Sequence, residues 1–526
     1  MAWMATAIEP SCDASEKQIT LLDRPEPGAL GTLEASTLKG MARGQATIRS
    51  LPPELLGNIF EEVYQDWLLF ALHPELYSSQ PASLRSRSWQ GLMKLMLQFP
   101  YTPAAVCRLW RDVITSTPKF WTRGVAFVDT KDPLAALSSL RRVLEHSRDL
   151  PVIVAVVRKS YNLRYDKEEG INVSLIMDLL LPNLHRFQDM YFHLNQSSSL
   201  PSILHFIKQA RPPTLSRLAL HCDVDDGENL DGSGNDALGM IKHTRSALTT
   251  LKVDGRNLLS ICDNPSLWSL VFTNLKCLTL ERLQPSELRQ RNLSLVSTVE
   301  FVSKLQNLEV LTIRDVVFEV SPRISGVPNP TITVSDLILE DLSDGVVKSL
   351  FDHATITPTY MLMRNVPIDE LPQIPQPLYL ELSEISTDQD LEDFLCFWDG
   401  EVLALRSCHG FDDSLLDMFQ AEIAPPYHVM LSPSLRELHI QDCPRFTANA
   451  LRSMIQARKE FVQRLENKHL GLTYISEVFV CGMGPILSEV DARWFRSNLT
   501  TFIWSTIQGD GGSCHLDQDS CVPFTV

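Results

Sequence analysis

The stretch "LRELHIQDCPRFTANALRSMI", residues 435–455, sets apolar side chains at Leu435, Leu438 and Ile440, then at Cys443, Phe446 and Leu451. In an extended segment residues two apart point the same way, so Leu438 and Ile440 face one core while Glu437, His439 and Gln441 point out of the sheet. Leu435 belongs to the incoming turn and plugs the layer below. A helical return leg follows. Such a unit cannot bury its own apolar face, so it has to stack on neighbours of the same kind.

The neighbours are present. The spacing L-x-x-L-x-[LIV] recurs at Leu215/Leu218/Leu220, Leu248/Leu251/Val253, Leu275/Leu278/Leu280, Leu308/Leu311/Ile313 and Val334/Leu337/Leu339. Degenerate versions stand at Phe187/Met190/Phe192, Leu378/Leu380/Leu382 and Leu403/Leu405. Most of these units start roughly 23 to 35 residues apart, overlapping and exceeding the period of about 20 to 29 usual for leucine-rich repeats. Six regular copies predict an α/β solenoid, with a parallel sheet on its concave face and helices on its convex face, rather than chance recurrence of leucine-rich strands. "LALRSCHGFDDSLLDMF" (403–419) repeats the L-x-x-C-x-x-F frame of 440–446 with Leu405, Cys408 and Phe411. That frame resembles the cysteine-containing class of leucine-rich repeats, in which the thiol is a small buried plug meeting backbone polar groups.

The residues between and after the buried leucines define the expected concave row: Arg217, His221, Lys252, Asp254, Thr279, Glu281, Thr312, Arg314, Ala404, Arg406, Glu437, His439 and Gln441. Both charge signs are mixed along it, which suits a polar epitope on a protein. Arg314 and Arg406 are expected to support no core layer.

Ahead of the repeats lie two further amphipathic stretches. In "LPPELLGNIFEEV" (51–63) Pro52 and Pro53 suit a first helical turn and Glu54 suits its dipole, while Leu55, Leu56, Ile59, Phe60 and Val63 mark one face. In "VCRLWRDVITSTPKFW" (106–121) Val106, Leu109, Trp110, Val113 and Ile114 form a stripe on one helix opened at Thr102-Pro103 and closed at Ser116-Thr117-Pro118. Together they resemble an F-box. Leu51, Pro52, Glu54, Leu55, Leu56, Ile59 and Phe60 match its first half; Val106, Cys107, Arg108, Trp110, Arg111, Pro118, Phe120 and Trp121 match its second. The wording is similar to F-box-like proteins of mushroom-forming fungi, and the segment 64–101 is an insertion in the usual pattern.

The resemblance implies a substrate receptor of an SCF-type ubiquitin ligase, docking on a Skp-type adaptor and its cullin complex and holding a protein target on the repeats. Leu51, Pro52, Leu55, Leu56, Ile59, Phe60, Val106, Cys107, Trp110, Val113 and Trp121 would form the adaptor surface. The alternative is a leucine-rich-repeat scaffold whose F-box is degenerate. A hydrolase using Cys107 is the weakest reading, since only Arg108 and Arg111 would activate the thiol and His146 is merely near in sequence.

The organisation expected is an arm over 1–48, an F-box-like module over 49–123, repeats over 133–505 and a tail over 506–526. The net charge of −17 on 526 residues argues against nucleic acid and anionic membranes as partners. No basic stretch followed by an apolar run opens the chain, and "LPVIVAVV" (150–157) is too short to span a bilayer but suits a buried strand, so an intracellular location, cytoplasmic or nuclear, is expected. The eleven cysteines contain no C-x-x-C pair, and no cofactor or metal is implied. "DVDDGENLDGSGND" (223–236) resembles a calcium loop but places Met240 where the closing carboxylate belongs, and reads as a solvated acidic loop. "CHLDQDSC" (514–521) lacks a second ligand pair, and "GMG" (482–484) lacks the third glycine of a dinucleotide loop.

Overall fold

The computed structural model describes residues 51–72, 99–130, 133–159, 167–208, 214–227, 247–265, 271–284, 292–320, 328–343, 345–368, 375–385, 388–420, 432–464 and 473–506. The expected arm, the expected tail beyond Thr506, the segment 73–98, most of the acidic loop and the cysteines of 514–521 lie outside them. Every element below belongs to one compact unit, Pro53–Val526.

The strands are β1 (Arg123–Phe127), β2 (Val152–Val157), β3 (Phe187–Gln196), β4 (Arg217–Val224), β5 (Thr250–Asp254), β6 (Cys277–Leu283), β7 (Val310–Val316), β8 (Thr331–Ile332), β9 (Asp336–Glu340), β10 (Thr355–Ile356), β11 (Tyr360–Arg364), β12 (Tyr379–Ser383), β13 (Val402–Arg406), β14 (Glu437–Gln441), β15 (Glu477–Gly482) and β16 (Thr501–Thr506). Fourteen of them form one parallel sheet in chain order; β8 and β10 pair separately. Crossovers between parallel neighbours share one hand, so helices such as Pro133–His146, Gly255–Cys262 and Glu489–Asn498 return over the same face. This mixed α/β arrangement is compatible with an α/β solenoid.

Register explains the leucine spacing. Leu278 pairs with Leu311, Leu311 with Leu337, Leu337 with Met361 and Met361 with Leu380, and the row continues through Leu403, Leu438 and Val478. Two residues on, Leu280, Ile313, Leu339, Met363, Leu382, Leu405, Ile440 and Val480 form a second row, and both rows are buried. β11, β15 and β16 escape the leucine pattern because they use Met361/Met363, Val478/Val480 and Phe502/Trp504.

The plug three residues earlier is a buried Leu or Val in the regular units and Ile475 before β15. Pro377 and Gly400 hold that place in two others. This corrects the reading of Leu378, which is 48% exposed. Above Gly400 the fully buried Trp398 fills the layer, and its indole N–H donates to the Pro377 carbonyl at 3.0 Å. Cys408 and Cys443 are buried, their thiols 3.3 Å from the carbonyls of Leu382 and Gln441 respectively, and burial raises the thiols to about 11 and about 12.

A second periodicity was not read from the sequence. The residue after the fifth sheet position is left-handed in successive units: Arg282, Asp315, Asp341, Asn365, Glu384, Ser407, Asp442 and Gly482. From Asp341 to Asp442 the N–H of each donates to the next strand, as Asn365 does to the Ser383 carbonyl at 2.9 Å and Asp442 to Cys481 at 3.1 Å. A left-handed non-glycine residue costs about 1–2 kcal/mol, and one more ladder bond offsets part of it at about 0.5–1.5 kcal/mol.

Gly255 follows β5 directly and allows its helix to close on β6, where a Cβ would run into the side chain of Leu283. Gly255→Ala is therefore expected to lower unfolding free energy by about 1–3 kcal/mol in urea titrations, with Leu283→Ala in the same chain restoring space but leaving a cavity.

Candidate functional surfaces

The first surface begins at helix Pro53–Leu72, which runs past the expected end at Val63. Its apolar residues do not share one face. Leu56, Phe60 and Tyr64 turn inward and are at most 7% exposed, while Leu55, Ile59 and Val63 are 49%, 44% and 47% exposed. Spacing by four keeps each set in a line, and the two lines are one residue apart.

The inward line meets an aromatic core. Phe60 packs edge-on to Trp110 at 5.0 Å, and Tyr64 and Phe99 lie 5.7 and 5.3 Å from Phe120. Tyr64 Oη shares a 2.7 Å hydrogen bond with Thr122, and the Arg123 guanidinium sits 4.9 Å over the Tyr64 ring. Trp121 is buried, donates its indole N–H to the Ile114 carbonyl at 2.9 Å, and packs tilted against the His146 ring at 4.5 Å.

Two expectations are corrected here. Leu56, Phe60, Val113 and Trp121 are core residues rather than contact residues. The stripe 106–114 is also not one helix: Tyr101–Val106 ends, Cys107 is extended at φ −158, and Arg108–Ser116 begins anew. Arg111 stitches the corner, its Nε donating to the Ala104 carbonyl at 3.1 Å. Cys107 and Trp110 are half-buried, Val106 is 57% exposed, Leu51 is half-buried and Pro52 exposed. The surface left outward is Leu55, Ile59 and Val63 on one helix and Val106 at the corner. The side chains of 65–72 and the segment 73–98, which hold most of the insertion, are outside the described residues.

The second surface is the sheet face opposite the helices. Neighbouring strands lie about 4.8 Å apart, so polar residues on one row reach one another. Glu281, Glu340 and Glu381 are buried carboxylates on it. Lys252 reaches Glu281 at 2.9 Å, Arg314 and Arg364 reach Glu340 at 3.4 and 2.8 Å, and Arg406 reaches Glu381 at 3.0 Å. His221 Nδ1 also contacts Glu281. Burial would raise the Glu281 carboxyl, but His221 and Lys252 outweigh it and hold it below the ordinary carboxylate range. Arg217 lies 4.0 Å from the buried Asp189, and Thr312 is half-exposed between Thr279 and Ile338.

The row is therefore a set of internal ion pairs, and Arg314 and Arg406 are not structurally idle. Asp254 departs further. It is fully buried and caps helix Gly255–Cys262, accepting from the Asn257 backbone at 3.2 Å and side chain at 2.7 Å. Burial raises its carboxyl to about 6, against the Arg256 charge and the Asn257 hydrogen bonds. Glu437 binds His439 at 2.6 Å, and His439, 5% exposed, stacks flat on Phe479 at 4.4 Å.

The aromatic part of this face was missed in the sequence. Tyr360 and Tyr379 lie 5.0 Å apart, Tyr379 is 6.5 Å from His439, and Phe479 continues the tract. The small Ala404 between β12 and β14 lets Tyr379 and His439 approach. The first five residues of the acidic loop are not simply solvated: Asp226 accepts from Ser197 at 2.6 Å and also from Ser198, and Asp225 accepts from the Gln284 N–H at 2.8 Å.

Among the described residues no helix is long and apolar enough to cross a membrane. A scan against protein-family models finds no match, and a search of curated proteins finds none.

Two outcomes follow from the buried acids. Arg406→Glu brings a second carboxylate against Glu381, to which Tyr360 already donates at 2.8 Å, and is expected to cost about 1–3 kcal/mol in chemical denaturation. For Asp254 the folded-state pKa of about 6 lies above the ordinary 3.8, so the unfolded chain releases this proton first as pH rises. Its contribution to stability therefore falls between about pH 4 and pH 6, by up to about 3 kcal/mol. Asp254→Asn keeps a capping oxygen and is expected to flatten the stability–pH profile in that window, measured by urea midpoints of both chains.

Proposed function

We propose that the protein is a substrate receptor of an SCF-type ubiquitin ligase, with an F-box-like helical module docking a Skp-type adaptor and leucine-rich repeats holding a protein target. The observation that carries this reading is the division of the first helix. Leu56, Phe60 and Tyr64 complete an aromatic core, and Leu55, Ile59 and Val63 stand 44–49% exposed in line along the other side. An ordered line of large apolar side chains facing outward is the mark of a protein contact. The Leu-Pro-x-Glu and Val-Cys-Arg-x-Trp-Arg wording supports the same assignment.

In this reading the receptor breaks no bond itself. It raises the local concentration of target lysines near a conjugating enzyme carried by the cullin complex. The Tyr360–Tyr379–His439–Phe479 tract supports the sheet face as the target surface, because tyrosine and other rigid aromatics beside arginine dominate binding energy at protein interfaces. The net charge of −17 agrees with a protein partner in place of nucleic acid.

The test uses purified full-length chain and a recombinant Skp-type adaptor. Leu55→Asp combined with Ile59→Asp is expected to abolish co-purification while the melting temperature stays within a few degrees, since both side chains are already near water. Leu56→Asp, by contrast, places a charge in the core and is expected to unfold the helical module. Unchanged adaptor capture by the Leu55/Ile59 double variant would overturn docking through this line and favour a repeat scaffold without a ligase link.

A further inference from the structure

We propose that His193, His221 and Asp223 together bind one divalent transition-metal ion of the zinc type on the sheet face opposite the helices. His221 and Asp223 are two apart on β4 and so share a face. His193 on β3 is the register partner of His221. One pleat and one hydrogen-bonded register therefore bring three ligand side chains to a point.

The donor atoms converge. His193 Nε2 is 3.1 Å and His221 Nε2 3.9 Å from the same Asp223 oxygen, and the three ligand atoms all lie within 4.8 Å of one another. Zinc bonds of 2.0–2.2 Å at tetrahedral angles set such atoms about 3.4 Å apart, so small side-chain rotations close the set. The three side chains are 19%, 19% and 27% exposed, enough to admit an ion from solvent.

The surroundings hold one ligand in the form a metal needs. Glu281 contacts His221 Nδ1, and a carboxylate only accepts, so the proton lies on Nδ1 and the Nε2 lone pair points to the Asp223 side. A carboxylate behind a histidine fixes the tautomer and ring angle of metal-bound imidazoles. Glu281 reaches His221 across the sheet because β5, between β4 and β6, turns at Asp254 into its helix and pairs with β4 only over Thr250–Lys252. The nearby cations are shared among several carboxylates: Lys252 lies 2.9 Å from Glu281, and Arg282, 2.8 Å from Asp315, also acts on Asp223. The Asp223 carboxylate supplies the anionic ligand. Two imidazoles and one carboxylate favour zinc and its neighbours over magnesium or calcium, which take oxygen ligands, and leave a fourth position for water.

The proposal is tested on the full-length chain, stripped with a chelator and titrated calorimetrically with Zn2+ in excess Mg2+. One zinc per chain, bound at micromolar concentration or tighter and not displaced by Mg2+, is expected. His193→Gln and Asp223→Asn should each weaken it by at least about ten-fold, with metal-free melting temperatures near that of the parent. No zinc uptake at micromolar concentration, or affinity unchanged in both folded variants, overturns the site. Should either variant fail to fold, the Co2+ spectrum of the parent decides: four-coordinate visible bands without thiolate charge transfer support it, and a thiolate band places the ion on cysteine and overturns it.

Discussion

Two apolar rows, one from each pair of alternate strand residues, run in register through the sheet, and the rest of the molecule is arranged around keeping them aligned. A shift of one residue in any strand would turn its leucines to the opposite face and its charges into the core. Backbone pairing of parallel neighbours prevents that shift, and the left-handed residue after strands from β6 onward extends the pairing by one bond in several of them. Return legs are under no such constraint. The leg from Arg364 to Tyr379 is short and that from Gln441 to Glu477 long, yet both deliver the next strand in the same register. Loop closure cost rises only slowly with length, so the repeats tolerate unequal connections.

The opposite face inherits the same register with different chemistry. Charged residues at equivalent positions become neighbours whether or not they were separated by thirty residues of chain. Glu281, Glu340 and Glu381 are each met by cations from adjacent strands, so the face holds buried carboxylates without bare charge. Pairs of this kind add little net stability but are costly to break. What remains for contact with other molecules is the aromatic tract from Tyr360 to Phe479 and the histidine–aspartate cluster on β3 and β4.

The helical module solves a different problem. Its helices Tyr101–Val106 and Arg108–Ser116 are short, and aromatic rings supply the contact area that short helices lack. The module and the sheet meet at Arg123 of β1, which lies over the Tyr64 ring, and at Trp121, two residues earlier, whose ring lies against His146 of the first crossover helix.

Much of this was legible from residue order alone. Period-two alternation with a plug three residues earlier identified the core of the regular units, and the L-x-x-C-x-x-F frame placed Cys408 and Cys443 at buried turns, because strand periodicity is a local property of the backbone. Period-four spacing likewise announced the first helix but not which of Leu55 and Leu56 faces inward, since adjacent residues lie a hundred degrees apart and only the position of Phe120 and Trp110 selects the buried line. The ion pairs of Arg314 and Arg406 depend on partners brought in by neighbouring strands, whereas the break at Cys107 and the cap at Asp254 are local features of backbone geometry that residue spacing did not announce. The meeting of His193 with His221 is the clearest such case: each is an ordinary outward residue of its own strand, and the hydrogen-bond register between β3 and β4 alone makes them neighbours.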